Sequence, residues 1–343
     1  MHTALLDRSL EAFAAVRKHV SFSARLRNQV AQPSFGRKTS GEQCVGISAT
    51  LGEAADATSW RVIDHCAAIT RTYALFESFV LQLLREYLLF LSGAYTLTAL
   101  GPDFKAKYTR GLGQIMLDQD KQRYSYIDMT KLIAGANEAM TDTAGYQIQP
   151  EALLRNEQNL RMTELHRLFS QCGLTNVGSW VTSHAALADF FKDQSRLSET
   201  AESELRQIVD YRNAAAHGDV DEVLGADVLV EFTEFMEALC RSIVDFIQYD
   251  TLRRAKELGK ATVIGRISER FRDDIVVAKI TNATLAVGDT LYVFGKGLTM
   301  AAKVRSIQLD GVDMANATVD AETEVGLHIG VRAKVGCELL RFH

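Results

Sequence analysis

The sequence predicts a multidomain, mainly α protein: a helical bundle followed by a small antiparallel β-barrel. Three observations carry this reading. Pro33, Pro102 and Pro150 are the only prolines among 343 residues, which leaves room for long uninterrupted helices. Apolar residues recur at i, i+3 and i+4 through most of the chain. Near residue 258 that pattern gives way to short β-branched runs separated by Gly, Asn or Asp. The helical domain is therefore assigned to residues 1–258 and the barrel to 259–343.

The elements follow in order. Leu5, Leu6, Ser9, Leu10, Phe13 and Val16 form the first helical stripe. Residues 33–52 are rich in Gly, Ser and Thr and read as an exposed loop. A long helix is expected over 59–91, with Ser59 at its start and Gly93 just past its end. Its apolar face takes in Ile63, Cys66, Ile69, Tyr73, Phe76, Val80, Leu83, Leu84, Tyr87 and Leu88. Helices are expected over 104–117, broken by Gly111 and Gly113, and over 129–140. Further helices are read at 151–172, ending at Gly173, at 180–191, at 200–217 before Gly218, and at 227–258. Phe232, Phe235 and Phe246 follow helical spacing and read as core. After Gly259 the strand-like runs are 262–267, 274–281, 290–294, 300–309, 324–331 and 338–342. Six or seven such runs in so short a span suggest a small antiparallel barrel.

Composition excludes several classes. With 47% hydrophobic and 24% charged residues the chain is globular in character, not disordered or fibrous. The net charge of −5 splits into 11 Lys+Arg against 10 Asp+Glu from residue 260 onward and 27 against 33 before it. Neither part binds nucleic acid by bulk charge, so any RNA contact uses a local patch. Five scattered cysteines without a CxxC pair read as reduced thiols. The first twenty residues carry Asp7, Arg8, Glu11 and Arg17, unlike a signal peptide. The strongest apolar run, 79–91, is too short and too charged to span a bilayer. A soluble cytoplasmic protein is expected, with no membrane partner.

The sharpest local signal is Tyr211-Arg212-Asn213-Ala214-Ala215-Ala216-His217-Gly218. On a helix Asn213 and His217 share a face at i and i+4. Arg212 and His217 stand about 140° apart around the axis. They converge only if the helix unwinds near Gly218, or if a second subunit contributes. His is the side chain that exchanges protons near neutral pH, and Arg holds phosphate and stabilises charge developing on it. RNA brings its own nucleophile, the 2′-hydroxyl. An Arg-Asn near a helix end, with a His before a Gly, also makes a plain C-capping arrangement.

This segment resembles the R-x4–6-H motif of HEPN domains in its R-N-x-x-x-H-G form. The stretch AAITRTYALFESFVLQLL at 67–84 resembles the first core helix of the RiboL-PSP-HEPN or MAE_28990-like group. The resemblance spans about residues 60–247. It implies an all-α, metal-independent and dimeric ribonuclease whose two motifs meet at the interface, of the kind found in toxin–antitoxin and antiviral systems. Arg212, Asn213 and His217 are the matching positions, and Glu77 lies where some families carry a polar partner for the motif. In this reading His217 does acid–base work, Arg212 stabilises the phosphorane and Asn213 positions one of them. The expected products are a 2′,3′-cyclic phosphate and a 5′-hydroxyl.

Residues 261–342 resemble the second domain of elongation factor Tu and other translational GTPases. The segments that carry this are Val287-Gly288-Asp289-Thr290-Leu291, Lys303-Val304-Arg305-Ser306-Ile307-Gln308, Val325-Gly326-Leu327 and Val335-Gly336-Cys337-Glu338-Leu339. Val287-Gly288-Asp289 reads as a tight turn before a strand, a role that Gly336 repeats. No G-x-x-x-x-G-K-[ST] occurs, so GTP hydrolysis is not expected.

His2, His19, His65, His166, His184, His328 and His343 form no metal-ligand spacing, and neither Asp64-His65-Cys66 nor His166 with Cys172 reads as a zinc site. No cofactor or metal is expected. Arg253, Arg254, Lys256 and Lys260 read as a solvated basic helix end. The expected partners are RNA, with tRNA as a structured candidate, a second copy of the chain, and a translation factor, phage protein or antitoxin. The alternative is a non-catalytic RNA- or protein-binding module that docks translation components or a phage protein.

Overall fold

The helical stripe at the start of the chain is one face of α1, Thr3–Val30, in the computed structural model, which describes residues 3–30, 54–155, 158–192, 200–218, 220–272, 274–295 and 298–342. The loop expected at 33–52, with Cys44, and the terminal His2 and His343 lie outside these residues. Leu5, Phe13 and Val20 of α1 are buried. Polar contacts fix its direction along α2, Ala57–Ala94. Ser23 Oγ donates to Asp64 at 2.7 Å, Arg27 pairs with the same oxygen at 2.7 Å, and Trp60 Nε1 donates to Ser23 Oγ at 2.9 Å.

Helix α2 is the spine of the helical unit. Phe76, Phe79, Val80, Leu83, Leu84, Tyr87, Leu88 and Leu91 are all buried. The expected face is largely this one, except that Ile63 is exposed. The start is capped by Asp56, whose carboxylate accepts the N–H groups of Thr58 and Ser59 at 2.9 and 3.0 Å, not by Ser59. The helix continues through Gly93 to Ala94, one turn further than the glycine suggested.

Helices α3, Pro102–Leu117, and α4, Met129–Met140, follow. Gly111 and Gly113 do not break α3. At Gly111 a Cβ would collide with the carbonyl oxygen of Ala152, so the glycine there permits close approach of another backbone. The helix read at 151–172 is shorter: a single 3-10 turn, Pro150–Ala152, comes first, residues 153–155 and 158–161 are not helical, and α5 spans only Met162–Gln171. Buried Glu151 explains the break. It accepts from Arg85, from Gln149 Nε2 and from Tyr126 OH at 2.9 Å, ties that hold the turn against α2. Two short helices, α6 (Val177–Ser183) and α7 (Ala185–Lys192), replace the one read at 180–191. Then come α8, Ala201–His217, and α9, Ala226–Glu257. Phe232, Phe235 and Phe246 are buried, as helical spacing predicts.

The chain divides into two compact units. One holds residues 2–182 and 186–241; the other holds 183–185 and 242–343, with the boundary inside α9 between Arg241 and Ser242. In the second unit the expected basic helix end is bound in ion pairs. Arg253 and Arg254 both reach Asp250 at 2.6 Å, and Lys256 reaches Glu338 at 2.6 Å. Tyr249 stacks on Phe294 with ring centroids 4.9 Å apart.

The strands are antiparallel throughout. They comprise β1 (Ala261–Arg270), β2 (Ile275–Ile280), β3 (Ala283–Ala286), β4 (Thr290–Gly295), β5 (Leu298–Lys303), β6 (Ser306–Leu309), β7 (Val312–Met314), β8 (Asn316–Val319), β9 (Thr323–His328) and β10 (Glu338–Phe342). Hydrogen bonding orders eight of them β5-β4-β10-β1-β2-β9-β6-β7, while β3 and β8 form a separate ribbon. The sheet does not close: among the described residues β5 and β7 are its edges, so the antiparallel β-rich unit expected here is present as an open sheet and not as a complete barrel. A single core is still enclosed, because Leu285, Ala317 and Val319 of the ribbon join Ile267, Val276, Leu291, Val293 and Leu339 of the large sheet. Gly288 and Gly336 have φ of +98° and +89°, the left-handed backbone expected of both turns. Among the described residues no helix is long and apolar enough to cross a membrane.

Candidate active site

The motif occupies the last two turns of α8. Thr200 caps the start of this helix, its hydroxyl accepting from Ser203 N at 3.2 Å. Gly218 ends it in the left-handed region at φ +75°, its N–H donating to Ala214. Leu205, Ile208 and Val209 are buried and fix the rotation of α8. Tyr211 then holds the end of the helix in place. Its ring lies edge-on to His65 of α2 at 5.9 Å and against Phe232 of α9 at 6.1 Å. Its hydroxyl donates to Glu222 at 2.8 Å. Burial, and then the Glu222 carboxylate, push the Tyr211 phenol up to about 12, so it stays protonated.

Arg212 and Asn213 are half-buried and turned toward α2 and the chain that precedes α5. The Arg212 guanidinium lies 5.1 Å from the ring centroid of Tyr73 and donates to Asn213 Oδ1 at 3.1 Å. Asn159 Nδ2 donates to the same oxygen at 2.9 Å. With Oδ1 accepting two hydrogen bonds, the N–H pair is the donor side of the Asn213 amide. Tyr73 OH accepts the buried Leu160 N–H at 2.7 Å. Burial above all pushes Tyr73 up to about 12. The nearby Glu77 carboxylate adds to this, while the Arg212 and Arg161 cations oppose it. Glu77 and Arg212 thus act on the same phenol; Glu77 itself is half-buried, one turn along α2 from Tyr73. Arg161 pairs with Asp210 at 2.6 Å in an exposed bridge.

His217 is different. It is exposed, on the last residue of an intact helix. The helix does not unwind before Gly218, so within one chain Arg212 and His217 keep the roughly 140° separation of regular α-helix. The structure therefore joins Arg212 to Asn213 and leaves His217 facing solvent.

Three polar participants were not singled out from the sequence: Tyr73, Asn159 and Arg161. Tyr73 sits in the apolar stripe of α2 and reads as core, which its ring is. Asn159 and Arg161 fall inside a stretch read as helix. One signal was available: Arg155-Asn156-Glu157-Gln158-Asn159 offers no apolar position over five residues, a break in the helical pattern.

No curated protein matches the chain. The RiboL-PSP-HEPN family model matches residues 48–249, more than half of the sequence and all of the site just described, and the chain accordingly belongs to the RiboL-PSP-HEPN family.

Proposed function

We propose that the protein is a metal-independent endoribonuclease of the toxin or antiviral-defence type. The observation that supports this most is the end of α8. A guanidinium held on an aromatic face and an amide with its oxygen occupied stand little more than one turn from an exposed imidazole. The 2′-hydroxyl of RNA attacks the adjacent phosphorus, and the 5′-oxygen of the next nucleotide leaves. His217 moves the proton, either taking it from the 2′-hydroxyl or giving it to the leaving oxygen. Arg212 meets the negative charge that builds on the phosphorane oxygens, with the Asn213 N–H groups beside it. The products are a 2′,3′-cyclic phosphate and a 5′-hydroxyl.

The separation of Arg212 from His217 on an unbroken helix leads to the second part of the proposal. Two copies of the chain form two equivalent reaction centres, in each of which the Arg212 of one copy works with the His217 of the other. The likeness of the β-rich unit to a translation-factor domain makes tRNA the first substrate to test.

The experiment is cleavage of total cellular RNA by the purified protein in excess EDTA, with His217→Ala in parallel. Discrete fragments from the wild type, with a loss of at least about 10²-fold in the variant, are the expected result. Equal cleavage by both proteins removes His217 from the chemistry. No cleavage by either favours the alternative, a non-catalytic module that binds RNA or protein.

A further inference from the structure

We propose that a second site, a cleft between α3 and the chain leading into α5, holds a backbone phosphate of the RNA strand on which the Arg212 motif acts. This rests on the ribonuclease reading for its ligand, and on the following geometry for its place.

The cleft encloses about 460 Å³, the scale of a bound ligand. Lys107, Arg110, Arg155 and Arg167 line it, against one lining carboxylate, Glu164. That is a concentration of positive charge on a chain whose net charge is −5. Two of these cations are braced in place. Buried Glu164 accepts from Arg167 Nε at 2.8 Å and Nη2 at 2.6 Å, and Arg167 Nη2 also donates to the Arg155 carbonyl. Lys107 Nζ donates to the Ser170 carbonyl at 2.8 Å and pairs with Asp103, a largely exposed carboxylate, at 2.8 Å. Arg155 stands 4.0 Å from Asp118. Arg110 is exposed on α3. Gly111 and Ala152 both line the cleft where the two backbones meet most closely.

The lining fits a phosphate better than a whole nucleotide. It contains no aromatic side chain on which a base would stack. The cleft is also next to the candidate active site along the chain. Gln158 lines it, and the following residue, Asn159, binds Asn213. Gln158 and Asn159 are consecutive residues, so a single stretch of backbone serves both the cleft and the motif.

The test measures binding apart from cleavage. A labelled single-stranded RNA oligonucleotide is titrated by fluorescence anisotropy against the full chain carrying His217→Ala, over a series of salt concentrations. The same titration is made with Arg110→Glu added, and with Lys192→Glu added as an exposed reversal outside the cleft. Melting curves establish that each variant is folded. Arg110→Glu is expected to weaken binding about tenfold or more near 0.1 M salt and to lower the slope of log K against log salt by about one. Lys192→Glu is expected to leave both unchanged. The proposal is overturned if Arg110→Glu alters neither affinity nor slope, or if the parent does not bind the RNA. It is also overturned if the substitution abolishes binding of a free nucleoside triphosphate while RNA binding is untouched. Cleavage by the wild type separates the two readings. Cleavage with an unaffected Arg110→Glu titration leaves the nuclease and removes the cleft; weakened binding without cleavage leaves the cleft and removes the nuclease.

Discussion

His65 shows how closely the residues around the motif are specified. It is fully buried beside Tyr211, and its Nδ1 accepts the Leu224 N–H at 3.3 Å. That bond fixes a neutral ring with its proton on Nε2. Burial lowers its pKa from 6.5, with Glu222 opposing. The consequence for stability has a definite sign. Below about pH 6.5 the unfolded chain takes up a proton that the folded ring resists, so stability is lost as pH falls toward the lowered folded value. The melting temperature is expected to drop between about pH 7.5 and 5.5. His65→Asn, whose Oδ1 replaces the Nδ1 acceptor, is expected to flatten that part of the profile. An unchanged slope in the variant assigns the effect to other groups. At this scale the sequence was informative where residue types are rare in combination, as in Arg212-Asn213 and His217. It was silent where a side chain has two uses. The Tyr73 ring belongs to the core while its hydroxyl holds the Leu160 N–H and its face carries Arg212.

At the scale of elements, the long periodic helices were legible because their buried faces repeat over many turns. Helix α4 has the expected bounds, and α8 and α9 lie within a residue of theirs. The failures have physical causes. Gly111 signals a break by propensity, yet it serves an approach between backbones that no local pattern reveals. Gly111→Ala is expected to cost about 3 kcal/mol or more, since neither helix α3 nor the turn at Ala152 can give way cheaply. Urea unfolding measures this, and a loss under about 0.5 kcal/mol would show that the contact relaxes easily. The non-helical residues before α5 were read as helix, although a buried carboxylate, Glu151, and its three donors stop the helix there. In the β-rich unit β3, β7 and β8 escaped notice because three or four residues give too short an alternation to recognise. The run at 300–309 is two strands, β5 and β6, that meet at Val304 and Arg305.

At the scale of the molecule, the order of helices and then strands was legible from texture alone, but the pairing of strands was not. Closure of a sheet depends on which edges meet, and β5 and β7 are brought to opposite ends by non-local registers. The same limit applies to the reaction centre. Sequence places Arg212 and His217 five residues apart, and an unbroken α8 keeps them on different sides of the helix. This separation is the ground for the proposal that two copies of the chain share each reaction centre. The most direct measurement is RNA cleavage in EDTA by Arg212→Ala alone, by His217→Ala alone, and by the two after mixing and subunit exchange. A mixed pair rebuilds one intact centre from the Arg212 of one copy and the His217 of the other. Each variant alone is predicted to be inactive, and the mixture to recover about a quarter of the wild-type rate, half the pairs being mixed with one of two centres restored. A mixture as inactive as its parents, beside an active wild type, would contradict the shared centre.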